Sequence, residues 1–103
     1  MTPQEEIFIA IGKKIKGAEQ SQMFGKPCFK VQSKAFMCFY NGDMVFKLAD
    51  KAHQEALSLD GSHLFDPSGK NRPMKEWVQV PDAYQELWEK FAKAAFTYVK
   101  SNL

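Results

Sequence analysis

The 103-residue sequence predicts an α+β fold built on an antiparallel sheet, from three observations. Both ends of the chain carry apolar residues at helical spacing, while the middle alternates in short runs bounded by turn formers. No strand–helix–strand period recurs, so the strands are expected to join through hairpins. The expected order is α-β-β-β-α-β-β-α, with a sheet of about five strands and helices packed mainly on one face.

Thr2 and Glu5 stand at capping-box spacing with Pro3 between them, a helix start. Ile7, Phe8, Ile11, Ile15 and Ala18 then form one apolar stripe. Lys13, Lys14 and Lys16 gather near the helix C-terminus, where cations suit the dipole, and Gly17 ends the helix. Residues 21–27 break the helical period and read as an ordered loop leading into the sheet.

Strands are expected over 28–31, 35–40 and 43–48. Asn41-Gly42 is a strong hairpin signal, because both residues tolerate positive φ. The turn near Gln32-Ser33-Lys34 has weaker chemistry. With two residues in each turn, Cys28, Lys30, Ala35, Met37, Phe39, Met44, Phe46 and Leu48 share one face, the expected core. Phe29, Val31, Phe36, Cys38, Tyr40, Val45 and Lys47 share the other, which is too apolar to be left in water. The two cysteines then point to opposite faces; a three-residue first turn would set them side by side.

Asp50 is the expected N-cap of a short helix over 51–59, with Ala52, Ala56 and Leu57 inward. A short strand is expected over 62–65, a turn at Asp66-Pro67-Ser68-Gly69, and a last strand over 74–80. Pro81 opens the final helix, in which Tyr84, Leu87, Trp88, Phe91, Ala94, Ala95 and Tyr98 recur at helical spacing.

Length and composition fit one domain over 1–103: 45% hydrophobic and 25% charged residues argue against disorder. A formal charge of +2 is too small to imply nucleic acid by itself, so a basic site must arise by local clustering. No apolar run reaches the ~18 residues a membrane helix needs. The acidic start and two cysteines without an export signal predict a reducing, cytoplasmic setting.

Met23-Phe24-Gly25, Lys34-Ala35-Phe36, Val45-Phe46-Lys47-Leu48 and Arg72-Pro73-Met74 leading to Val80-Pro81 resemble the TfoX N-terminal domain and its YjbR-like relatives. The resemblance covers 23–99, and Met23–Gly25 and Gly69–Met74 are its most specific parts. It implies a fold shared with type III secretion chaperones. For function it implies at most a regulator of the competence type or a DNA-binding domain.

Lys70, Arg72 and Lys75, with Lys26, form the local cation cluster that is the candidate site. Either these residues solvate a surface loop with Trp77 in the core, or they take a phosphate or carboxylate while Trp77 offers a stacking face. Ser68-Gly69-Lys70 lacks the upstream Gly and following Ser/Thr of a P-loop. His53, His63, Cys28 and Cys38 are not at metal-ligand spacing, and neither cysteine has a base beside it in sequence. Glu5-Glu6 and Glu86/Glu89 fall on solvent faces of helices. A non-enzymatic binding domain without cofactor follows as the expectation. It would act as a protein-interaction module, dimeric or docking a partner through the second sheet face. The alternative is a nucleic-acid or nucleotide-binding regulator using Lys26, Lys70, Arg72, Lys75 and Trp77.

Overall fold

The computed structural model describes residues 2–103. Helix α1 (Pro3–Lys14) starts as its sequence dictates: the Glu5 amide donates to the Thr2 hydroxyl at 3.2 Å, with Pro3 in the first turn. Four strands follow, β1 (Glu19–Met23), β2 (Lys26–Val31), β3 (Lys34–Tyr40) and β4 (Asp43–Lys47). Then come α2 (Asp50–Ser58), β5 (His63–Phe65), β6 (Met74–Val80) and, after one 3-10 turn opened by Pro81, α3 (Gln85–Ser101). The fold is α+β, with six antiparallel strands in one open sheet ordered β1-β2-β3-β4-β6-β5. Among the described residues no helix is long and apolar enough to cross a membrane.

One strand more than expected comes from residues 19–23. Glu-Gln-Ser-Gln-Met has no β-branched residue and no apolar alternation, and every side chain in β1 is exposed or half-buried. Pairing with β2 makes it a strand, not local preference: Gln20 lies opposite Phe29 and Ser21 opposite Cys28. The first three strand connections, Phe24-Gly25, Gln32-Ser33 and Asn41-Gly42, are two-residue turns with positive φ at both central positions.

The first β2–β3 turn has the expected two residues, yet the expected faces do not follow. Lys30 pairs with Ala35 but Phe29 pairs with Met37, so Phe36 is the extra residue of a bulge. The bulge sends both Phe36 and Met37 into the helix-side core and turns β2 over. Phe29 and Val31 therefore join Phe8, Phe39, Phe46, Trp88 and Phe91 under α1 and α3, while Cys28 and Ala35 move to the second face. Cys28 and Cys38 are direct cross-strand partners, both buried and both free thiols. Burial pushes the Cys38 thiol up to about 12 and the Cys28 thiol up as well, the latter opposed by nearby Lys30. Both thiols are accordingly expected to resist a thiol-reactive disulfide reagent in the native protein and to react fully only in denaturant. Rapid native labelling of either one would contradict this placement.

In α2, Ala49 is the N-cap and no side chain caps the helix, because Asp50 is already its first residue with φ +54. Ala56 faces inward as expected, but Leu57 is 37% exposed and Leu59 packs on the core in its place. His53 Nε2 meets the Lys75 carbonyl at 2.8 Å and ties α2 to β6.

Candidate binding corner on the second sheet face

The second face is closed by the sheet itself. Phe65 in β5 and Tyr40 in β3 have two strands between them, a separation of ~14 Å in a flat sheet. Their ring centroids are nevertheless 5.1 Å apart, edge to face. The register jump from Leu64↔Val78 to Phe65↔Met74 folds the end of β5 inward, and the curl of the sheet does the rest. Cys28, Cys38, Val45, Phe65 and Trp77 form a second, smaller core, edged by half-buried Met23, Ala35, Tyr40 and Met74. Among the described residues no helix side chain joins this cluster; the strands' own aromatic side chains cover it.

This closure brings together the tip of the β1–β2 hairpin and the loop between β5 and β6. Lys26 Nζ lies 5.6 Å from the Tyr40 ring centroid, and Tyr40 leans on Phe65, where the loop begins. The Asp66 carboxylate shapes that loop. Its Oδ1 accepts from the Ser68 amide (3.2 Å), the Ser68 hydroxyl (2.6 Å) and the Gly69 amide (3.2 Å), and its Oδ2 accepts from the Arg72 amide (3.0 Å). The Ser68 hydroxyl accepts in turn from the Lys70 amide at 3.1 Å. With its backbone turned inward, the loop presents the exposed residues Lys70 and Arg72 outward.

The Ser68 hydroxyl, with the Arg72, Gly69 and Ser68 amides, holds the Asp66 carboxyl below the usual carboxylate range. A carboxyl lowered on folding stabilises the loop at neutral pH, and this support is lost as pH falls from the unfolded value through the folded one. Acidification toward pH ~3 is thus expected to broaden and shift the Ser68, Gly69 and Arg72 amide resonances before the global transition. Asp66→Ala should produce the same local change already at pH 7, read by faster amide exchange at those positions.

Of the residues singled out from sequence, Lys26, Lys70, Arg72 and Lys75 are all exposed. Lys26 and the loop are joined through Tyr40 and Phe65, and Lys75 follows Met74, the register partner of Phe65. Trp77 is different: at 7% exposure it belongs to the floor of the second core and offers no free ring face. Sequence reasoning set Lys30 on the expected core face and Tyr40 on the second, gave neither a binding role, and read Phe24 only as part of a motif. Lys30 enters this face through the bulge, and Phe24 stands at the hairpin tip with φ +53 and 62% exposure.

On the helix layer Lys14, Lys90 and Lys93 pair with Glu89, Glu55 and Glu89 respectively, while Lys13, Lys51 and Lys100 form no ion pair among the described residues. Among the described residues, Lys26, Lys30, Lys70, Arg72 and Lys75 form no ion pair. Two carboxylates near the second face are already occupied, Asp66 by its loop and Asp43 by the Gln79 side chain (2.9 Å) and the Asp82 amide (3.3 Å). Lys47 meets Glu76 at 3.8 Å. Comparison with protein-family models, curated proteins and solved structures finds no match to this chain.

Proposed function

We propose that the chain is a small binding domain for a polyanionic partner, with nucleic acid as the partner class. The observation that carries this reading is the set of five cations without an ion pair, Lys26, Lys30, Lys70, Arg72 and Lys75, on and around one sheet face, where Asp66 and Asp43 are engaged in hydrogen bonds and Glu19 lies opposite Lys30. Exposed, unpaired cations attract phosphates at long range and release counterions on contact. Phe65 and Trp77 pack into the same face, which favours the cations over an apolar contact there. Membership among the TfoX N-terminal and YjbR-like domains, carried by Met23–Gly25 and Gly69–Met74, is part of the same proposal.

The test is binding of a fluorescent oligonucleotide followed by anisotropy across salt. Affinity should fall linearly on a log–log plot, by roughly 0.7–0.9 in slope for each phosphate neutralised. Lys70→Ala and Arg72→Ala should each weaken binding and flatten that slope by about one such increment, whereas Lys93→Ala on the helix layer should leave it unchanged. Absence of binding at low salt to both single and double strands would remove the reading.

A protein partner is the second reading, and exposed Phe24 favours it, because a ring at 62% exposure is also what an apolar anchor looks like. A lone anchor beside cations would select an acidic surface.

A further inference from the structure

Phe24 is costly where it stands. The first position of a two-residue hairpin with φ +53 suits Asn, Asp or Gly, and a bulky residue there is an outlier. Its ring gains no burial in return, being 62% exposed, and it joins neither hydrophobic core. Folding explains neither its conformation nor its identity. Its surroundings are informative: the adjacent strand pair is Met23↔Lys26, and Lys26 is held above the Tyr40 ring. The loop carrying Lys70 and Arg72 starts at Phe65, against that same Tyr40 ring. One exposed aromatic thus projects two residues from the unpaired Lys26, on the hairpin that the Tyr40–Phe65 contact joins to the start of the loop carrying Lys70 and Arg72.

Resting on the polyanion reading above, we infer that the ligand is single-stranded nucleic acid, with Phe24 stacking on an unpaired base while Lys26, Lys70 and Arg72 take flanking phosphates. An aromatic face beside cations is the arrangement single-strand binders use, because every base has a π-face and the backbone between bases is charged. A duplex keeps its bases stacked internally and has no free π-face for Phe24, so it would engage the cations alone. The hairpin tip suits this contact because both faces of an exposed turn side chain can be approached. Contacts of this kind carry little sequence preference.

The experiment compares a short oligothymidylate of about 12 nucleotides, a length within single-strand site sizes, with a duplex of equal length and with polyglutamate. The single strand should bind tightest. Phe24→Ala should weaken it roughly 5- to 100-fold, the range seen when one base–aromatic stack is removed, with the duplex unaffected. Phe24→Trp should retain affinity, and its added indole should be quenched by the oligonucleotide. Phe24→Asn relieves the backbone and should unfold no earlier than the parent while losing the single-strand preference, which separates a binding defect from a folding defect. Equal binding of single strand, duplex and polyglutamate, with Phe24→Ala silent, overturns the stacking inference and leaves the polyanion reading standing. No binding to any of the three at low salt overturns both.

Discussion

Replacing Gly12 by alanine is expected to destabilise the protein by on the order of 2–3 kcal/mol, although in an ordinary helix interior the same change gains about 1 kcal/mol. Gly12 is in α1 and fully packed; a Cβ added there would overlap the Phe29 ring. The ring has little room to retreat, since Phe8 packs against it at 5.2 Å from the same helix. Helix propensity and core packing therefore act in opposite directions, and packing wins because interiors at crystal-like density do not yield by an ångström without loss elsewhere. The measurement is the denaturant midpoint at unchanged slope. A second variant makes the cause specific: Phe29→Leu in the Gly12→Ala background should recover part of the loss, giving a coupling of about 0.5–3 kcal/mol in a double-mutant cycle. Additive effects would show that the ring is not the obstacle.

Phe46→Ala should cost more, about 3–5 kcal/mol. Phe46 is fully buried on β4, which lies between β3 and β6, and its ring stands 5.8 Å from that of Phe91 on α3. Its removal opens a void between sheet and helix layer at a place where strands on both sides restrain collapse. Against a total stability of ~5–15 kcal/mol for a domain of this kind, such a loss removes from about a fifth to all of it. Equilibrium unfolding would show the denaturant midpoint lowered by that loss divided by the slope. A loss under about 1 kcal/mol would mean that the layers can close over the gap.

Much of this architecture was readable because local and tertiary preferences agree. Thr2, Pro3 and Glu5 cap α1 as spaced, Asn41-Gly42 turns β3 into β4, and the stripe through Trp88, Phe91 and Ala95 buries α3. Reading failed where tertiary structure overrode local signal. Residues 19–23 are a strand only because β2 offers a partner, and Phe24 conceals a turn that its side chain disfavours. The bulge at Phe36 was invisible because alternation assumes an unbroken register, and one unpaired residue reverses every face upstream of it. At the candidate corner the cations were legible as a cluster, while the curl that joins Lys26 to the 66–73 loop depends on contacts far apart in sequence. Trp77 was open between floor and platform, and only its burial decides for the floor.

The two tryptophans sit on opposite sides of one sheet, Trp88 in the helix-side core and Trp77 in the smaller core that the curled strands make for themselves. Each hydrophobic layer therefore contains its own natural fluorophore. The indole N–H of Trp88 is buried without a hydrogen-bond partner, so its emission belongs at the blue end of the range. Variants keeping one tryptophan at a time would report the melting of each layer separately. Coincident curves would make the sheet a single cooperative wall between two cores. Separate curves would make the helix-free side a subdomain that opens first and exposes the hairpin corner as it does so.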